Sequence, residues 1–126
     1  MTTISIFGSC NMATAIGTRA SKHGHTIEVM SRDTAKAQAL ADKIGNGAAA
    51  GTFGATPLGD IVIVAVPYAN AVSVVANYGD VLAGKVIIDI SNTFNADATG
   101  LRERLHEYAK RTSAFCIGLS DQGRRT

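Results

Sequence analysis

The sequence is short of several features, and each shortage excludes a class of protein. Among its 126 residues there are 2 cysteines, and these have no regular spacing. That count excludes a framework of disulfide bonds and favours a reducing compartment. The longest apolar run, residues 61–66, is too short to cross a bilayer, and no signal-peptide pattern opens the chain. We therefore expect a cytoplasmic protein with no membrane partner.

Charge and aromatic side chains are scarce as well. Charged residues make up 17% of the chain, the net charge is +2, and 6% of the residues are aromatic. A basic field this weak, with few rings to stack on bases, is not typical of a nucleic-acid-binding domain. Apolar residues are abundant at 46%, so the chain has enough of them to bury the core of one domain.

Strand and helix patterns alternate along the chain. Strands are predicted over residues 2–8, 26–30, 60–66 and 85–90, with a further short one inside 45–57; helices are predicted over 11–23, 33–44 and 69–78. This order predicts an α/β fold, a Rossmann-like doubly wound parallel sheet in a short or truncated form. In such sheets the ligand crevice lies at the carboxyl ends of the strands.

The end of the chain has a different pattern. We expect the nucleotide-binding domain to span residues 1–96. In residues 97–126, an amphipathic helix is indicated by Leu101, Leu105 and Tyr108, and residues 114–119 have the pattern of a short strand. This segment is predicted to be a divergent tail and not a separate domain.

The segment from Thr2 to Ala13 carries the main functional signal. It has the layout of the G-x-G-x-x-G/A dinucleotide fingerprint, a buried strand that enters a glycine turn and then a helix. Gly8 permits the tight bend, and the free N–H groups at the helix start can hold phosphate oxygens. Asn11 adds a donor or caps the helix, while Ala13 lets helix and strand approach closely. A plain strand–turn–helix is the alternative explanation. The candidate contacts with the cofactor are Gly8, Ser9, Cys10, Asn11, Met12 and Ala13.

Cys10 stands where the fingerprint has its middle glycine. Three alternatives are open. The cysteine is tolerated, with the phosphates slightly displaced. Its Cβ and sulfur weaken or abolish binding, because they occupy the path of the pyrophosphate. Or it is a reactive thiol, since a helix N-terminus favours the thiolate form.

Ser31 and Arg32 end the second predicted strand. NAD-binding domains place Asp or Glu here, to hold the ribose 2′-hydroxyl. A guanidinium instead pairs bidentately with a 2′-phosphate, and the serine can donate to it, so the pair predicts NADP. Asp33 is an alternative ribose ligand. It opens an apolar helical pattern, however, which favours a role as the helix cap.

The ends of the two later strands are expected to flank the nicotinamide. Val66 and Pro67 stand at the end of one strand, and Asn92 follows the next. The sequence has no Ser-His-Asp set, no paired carboxylates and no metal-ligand cluster, so it assigns no catalytic side chain and no metal. Hydride transfer needs none of these, because the cofactor does the chemistry and the protein supplies position and shielding.

Together these segments resemble the F420-dependent NADP oxidoreductase family. The resemblance covers about residues 1–95 and rests on residues 8–17, 31–33, 63–67 and 82–92. It implies hydride transfer between NADPH and a deazaflavin (F420) or a similar, flavin-like acceptor. It also implies that Gly8, Asn11, Met12 and Ala13 cradle the pyrophosphate, that Ser31 and Arg32 hold the 2′-phosphate, and that Ala65, Val66, Pro67 and Asn92 border the nicotinamide.

Other functions stay open at this point. Family members continue into a region that completes the acceptor pocket and often the dimer, and residues 97–126 do not resemble it. A non-catalytic nucleotide-binding or interaction module is one alternative. A fragment similar to pyrroline-5-carboxylate reductase, an imine reductase, is another, since it shares the Asn11-Met12-Ala13 phrase. A reductase completed in a homodimer is a third.

Overall fold

The structure is a computed structural model, and it describes residues 2–9, 11–66, 68–90, 110 and 115–118. In these ranges six strands form one sheet: β1 (Thr3–Phe7), β2 (Thr26–Ser31), β3 (Ala49–Thr52), β4 (Ile61–Val64), β5 (Val86–Asp89) and β6 (Phe115–Gly118). The helices are α1 (Asn11–Lys22), α2 (Thr34–Ile44) and α3 (Tyr68–Tyr78), followed by a 3₁₀ helix (Gly79–Leu82). None of the described helices is long and apolar enough to cross a membrane.

All neighbouring strands are parallel, in the order β3-β2-β1-β4-β5-β6. The chain winds outward to β3 and then returns to β4 on the other side of β1, so the strand order reverses between β1 and β4. Phe7 of β1 is in register with Met30 of β2 and Val64 of β4, which brings the carboxyl ends of these strands level. The predicted Rossmann-like, doubly wound sheet is confirmed.

The two faces of the sheet bury two separate cores, as expected of a central parallel sheet. Alternate residues of β1 point to opposite faces, so Ile6 and Phe7 belong to different cores. The first core joins the sheet to α1 and α2 through Ile4, Ile6, Ala13, Ile27, Val29, Ala37, Leu40, Ala41, Ile44, Ile63 and Ala65. The second joins it to α3 and the 3₁₀ helix through Phe7, Met30, Val62, Val64, Ala71, Val74, Val75, Tyr78, Leu82 and Ile87.

Gly17 allows α1 to lie close to its neighbours. A Cβ at this position would lie 2.6 Å from Cδ1 of Ile44 on α2 and 3.3 Å from Cδ1 of Ile6 on β1. A glycine inside a helix costs about 1 kcal/mol relative to alanine, so the sequence predicts close packing against the sheet. The contact with Ile6 confirms that prediction.

A buried carboxylate ties the loop before β4 to the middle of the sheet. Ser5 donates its hydroxyl to Oε1 of Glu28 over 2.6 Å, and the Leu58 N–H donates to the same oxygen over 3.0 Å. The Gly59 N–H in turn donates to Oγ of Ser5 over 2.9 Å. Glu28 is 7% exposed, and these bonds offset the cost of burying it. The chain is thereby anchored where it enters β4.

Several element boundaries differ from the prediction. The first helix ends at Lys22 rather than His23, and β4 ends at Val64 rather than Val66. The strand pattern at residues 114–119 is found as β6, which pairs with β5, so the sheet takes one strand from the predicted tail. The tail helix around residues 101–108 lies outside the described residues. The domain boundary at residue 96 stays a prediction.

Candidate functional site

A cleft of about 480 Å³ opens at the carboxyl ends of β1, β2 and β4. Its volume is in the range of small-ligand sites. It is lined by Gly8, Ser9, Ser31, Arg32, Lys36, Phe53, Ala65, Val66, Asn70 and Val74. The strand ends that the sequence places at one crevice therefore do meet there, with Pro67 and Asn92 outside the described residues.

Gly8 forms the turn between β1 and the helix that follows. Its φ is +113°, a conformation that favours glycine, and its N–H donates to the Met30 carbonyl over 2.9 Å. A Cβ would collide with the carbonyl oxygen of Ala65 and lie 2.9 Å from its carbonyl carbon. Bare backbone is thus required here, and it leaves the cleft accessible between β1 and β4.

The other fingerprint residues fall into three groups. Ser9 lines the cleft beside Gly8. Asn11 and Met12 are exposed on the first turn of α1 and do not line it, while Ala13 is fully buried against the sheet. The burial of Ala13 fits the prediction of a small residue between helix and strand. Cys10 lies outside the described residues.

The charged end of the cleft consists of Ser31, Arg32 and Lys36, which follow one another from the end of β2 into α2. Both cationic side chains are exposed. Asp33, between them, accepts a hydrogen bond from the Lys36 N–H over 3.1 Å and so caps α2. The predicted cap is confirmed. The Asp33 carboxylate is thus engaged by the N-terminus of α2, and it does not line the cleft.

Phe53 joins the charged end to the core. Its ring centroid lies 5.4 Å from Cζ of Arg32, within the range of a cation–π contact. The ring packs edge-on against Phe7 and Tyr78, with centroids 6.1 and 5.8 Å away, and Phe7 and Tyr78 stack at 4.6 Å. Burial raises the pKa of Tyr78, whose hydroxyl accepts the Gly54 N–H over 2.6 Å.

The apolar end of the cleft consists of Ala65, Val66, Asn70 and Val74. The Ala65 N–H donates to the Phe7 carbonyl over 2.8 Å, which continues the pairing of β1 and β4 one residue past the strand. Asn70 and Val74 are one turn apart on α3 and so share a helix face. Among the described residues of this end, Asn70 alone carries a polar side chain.

Four residues that line the cleft were not predicted from the sequence: Lys36, Phe53, Asn70 and Val74. Lys36 carried a usable signal, because it stands one turn after a predicted cap at the start of a helix that faces the crevice. Asn70 and Val74 carried a weaker one in their spacing of four residues. Phe53 carried no such signal, since it lies in a glycine-rich stretch, residues 45–57, whose path the sequence does not predict.

Other reactive groups in the described ranges do not reach the cleft. Burial raises the pKa of the Cys116 thiol, with a smaller contribution from the Asp89 carboxylate, so the thiol is held neutral. No group of three or more His, Cys, Asp or Glu residues in the described part of the chain is arranged to hold a metal ion. The described lining of the cleft offers two cations that suit an anion and apolar side chains that can shield a bound ring from water.

The strand order and the position of the cleft define an α/β domain of the Rossmann class, which binds dinucleotides at this edge of the sheet. The chain belongs to the family described as NADP oxidoreductase, coenzyme F420-dependent, whose family model matches residues 3–93. The family predicted from the sequence is confirmed. No curated protein matches the chain significantly.

Solved reductases share this fold. An imine reductase from Aspergillus terreus, in complex with NADPH4 and dibenz[c,e]azepine, is 26% identical with a TM-score of 0.73 over 95% of this chain. A reductive aminase from Aspergillus terreus, in complex with NADPH and ethyl-5-oxohexanoate, is 25% identical with a TM-score of 0.66 over 95% of this chain. An imine reductase from Myxococcus stipitatus, in complex with NADP+, is 20% identical with a TM-score of 0.75 over 94% of this chain, and shows the fold alone. The chain spans 40% of the length of each.

Proposed function

We propose that this chain binds NADP(H) in the cleft and forms the cofactor-binding part of an oxidoreductase. One observation carries the proposal: two exposed cations, Arg32 and Lys36, line the same cleft as the glycine turn at Gly8. Domains with this fold bind dinucleotides at this edge of the sheet, and the two cations give one end of the cleft a charge that suits a phosphate.

The residues fit the parts of the cofactor. The positive φ of Gly8 forms the tight turn into α1, and the first N–H groups of that helix, which begins at Asn11, lack acceptors within the helix and suit a pyrophosphate. Ser31, Arg32 and Lys36 offer a hydroxyl and two cations to a 2′-phosphate. With Asp33 engaged as a cap, no carboxylate of this segment is presented to the ribose in its place.

Each residue predicted from the sequence then has a proposed role. Gly8, Ser9, Cys10, Asn11, Met12 and Ala13 form the pyrophosphate turn, Ser31 and Arg32 hold the 2′-phosphate, and Ala65, Val66, Pro67 and Asn92 border the nicotinamide. Lys36 joins the phosphate group, and Asn70 and Val74 join the nicotinamide group. Bound NADPH supplies a hydride. The apolar end positions the ring and excludes water from it.

Two alternative acceptors of the hydride are proposed. The family description favours a deazaflavin such as F420. The relatives at 25–26% identity are an imine reductase and a reductive aminase, which favours an imine. Mixing the chain with NADPH and either F420 or a cyclic imine, and following NADPH absorbance, separates the two. We also propose a cytoplasmic location and a homodimer, the latter because family members often complete the acceptor pocket between subunits.

A non-catalytic NADP(H)-binding module is the second candidate. The chain spans 40% of the length of the reductases named above, so the proposal concerns the cofactor-binding part alone. Tight binding of NADPH with no turnover of F420, a flavin or an imine at any protein concentration would favour it. Activity that appears only at high protein concentration would instead favour a reductase completed in a homodimer.

Single substitutions test the binding proposal. Arg32→Ala is expected to weaken NADPH binding by about 10- to 100-fold, since hydrogen bonds to charged groups contribute about 1.5–3 kcal/mol. Lys36→Ala should weaken it less, by roughly 3- to 10-fold, because a lysine binds phosphate as a point charge. Neither change should alter NADH binding. Lys43→Ala removes the same charge from the far end of α2, outside the cleft, and serves as the matched control.

Titration calorimetry or fluorescence of the bound nicotinamide supplies these affinities. Equal losses for NADPH and NADH in Arg32→Ala would contradict the assignment of the 2′-phosphate to the charged end. An effect of Lys43→Ala as large as that of Lys36→Ala would show that only the overall charge of the chain matters.

A further inference from the structure

We propose that Phe53 and Tyr78 position the Arg32 guanidinium and thereby strengthen the preference for NADP over NAD. This inference rests on the proposed function, because it concerns the same phosphate site. Arg32 is the first residue after β2, and its side chain is exposed. An exposed arginine loses much rotamer freedom when it is fixed on a phosphate, so a group that orders it beforehand strengthens binding.

The contact between Arg32 and Phe53 supplies that order. The guanidinium carbon lies 5.4 Å from the centroid of the ring. A cation at this distance is attracted by the face of an aromatic ring. A cation–π contact is an electrostatic attraction that uses no hydrogen-bond acceptor, so the N–H donors of the guanidinium remain available for the oxygens of a phosphate.

Phe53 is itself held from two sides. Its ring meets the edges or faces of Phe7 and Tyr78, at interplanar angles of 64° and 84°. Both partners are buried, since Phe7 is 0% and Tyr78 is 4% exposed. Edge-to-face pairs of this kind have a preferred geometry, so the ring of Phe53 is fixed relative to the sheet.

The backbone next to Phe53 is fixed as well. Tyr78, the last residue of α3, accepts the Gly54 N–H with its hydroxyl over 2.6 Å, across 24 residues of chain. This bond secures the turn after β3 that carries Phe53. Tyr78 thus connects α3 to the turn after β3, the turn carries Phe53, and Phe53 contacts Arg32.

A purely structural role for the aromatic cluster makes a different prediction. If Phe53 only packed the core, its loss would weaken NADPH and NADH alike. If it acts through Arg32, its loss would reduce the binding of the nucleotide that carries the 2′-phosphate and spare the other. The measured quantity is therefore the ratio of the dissociation constants for NADH and NADPH.

The experiment is a titration of the full chain with both nucleotides. Phe53→Leu keeps an apolar side chain and is expected to lower the ratio by about 2- to 5-fold, the strength of an exposed cation–π contact. Phe53→Tyr keeps the face of the ring and should therefore keep the ratio of the unmodified chain. Tyr78→Phe keeps the ring but removes the acceptor for Gly54, so a smaller loss, about 2-fold, is expected. Thermal unfolding of each variant confirms that the chain is folded.

Two double variants separate the inference from the proposed function. Phe53→Leu should have no further effect on the ratio in Arg32→Ala, and its full effect in Lys36→Ala, because of these two cations it is Arg32 that the structure shows over the ring. Equal effects in both backgrounds, or equal weakening of NADPH and NADH, would overturn the inference. An unchanged ratio in Phe53→Leu would overturn it too, while a large effect of Arg32→Ala would leave the proposed function standing. If Arg32→Ala has no effect on the ratio, the proposed function fails and the inference fails with it.

Discussion

The two ends of the cleft lie at the same edge of one sheet, yet they are built in different ways. The charged end comes from one short stretch, residues 31–36, and its parts are held by local bonds such as the cap from Asp33 to Lys36. The apolar end comes from the chain after β4 and from one face of α3, and Asn70 is its polar member.

This difference separates recognition from chemistry. In the proposed assignment the charged end binds the 2′-phosphate, the feature that distinguishes NADP from NAD, and so selects the nucleotide. The apolar end offers shape and shielding to a part that both nucleotides share. It follows that substitutions at the charged end should change the ratio of affinities, and substitutions elsewhere in the cleft should change both affinities together.

The largest effect is expected at Gly8, where the two ends meet. Gly8→Ala places a Cβ against the Ala65 carbonyl at a positive φ, so binding of both nucleotides should be lost and the free energy of unfolding should fall by roughly 3 kcal/mol. Chemical denaturation and titration measure the two effects. Gly24→Ala is the matched control, because Gly24 also has a positive φ but has open space around its Cβ position. It should cost about 1 kcal/mol and leave binding intact. Retained binding in Gly8→Ala would contradict the requirement for this tight turn in the nucleotide site.

A gain of affinity is expected at Cys10. If its bulk is the only obstacle, Cys10→Gly should tighten NADPH and NADH equally by about 1–2 kcal/mol, the scale of a modest steric strain, because the pyrophosphate is common to both. Cys116→Ala, at the cysteine on β6, should change neither affinity. Unchanged binding in Cys10→Gly would place this residue outside the path of the phosphates.

Of these three positions in the cleft and its glycine turn, Asn70 is expected to show the smallest effect. Asn70→Ala should weaken NADPH and NADH by the same factor, about 2- to 10-fold, the value of one neutral hydrogen bond, and leave their ratio unchanged. Asn77→Ala, two turns further along α3 and outside the cleft, is the control. A shift in the ratio would show that the apolar end also discriminates between the nucleotides, and the comparison drawn above would then be wrong.

The sequence predicted most of the sheet because its signals are local. Continuous apolar runs such as residues 61–64 indicate buried parallel strands. The cap residue Asp33 indicates the start of a helix, and the small residues Ala13 and Gly17 indicate where a helix lies close to its neighbours. The same local logic predicted Gly8, Ser31 and Arg32 at the cleft. Lys36 was not predicted although it lies in the same stretch, because it belongs to α2 and lies beyond the strand end that is expected at the crevice.

The parts that were not predictable depend on contacts between distant segments. Phe53 reaches the cleft because Tyr78 fixes its turn from 24 residues away. Glu28 lies in the middle of a strand and is buried because Ser5 and the Leu58 N–H satisfy it. Neither arrangement follows from periodicity or spacing, since both need the register of the sheet and the course of a loop.

The ratio of dissociation constants for NADH and NADPH, measured on the unmodified chain and on Arg32→Ala/Lys36→Ala, tests the central claim most directly. We expect the unmodified chain to bind NADPH about 100-fold more tightly, from charge-assisted bonds to the 2′-phosphate, and the double variant to bind both nucleotides about equally. Equal affinities in the unmodified chain, or tighter binding of NADH, would contradict the claim that this cleft is an NADP site.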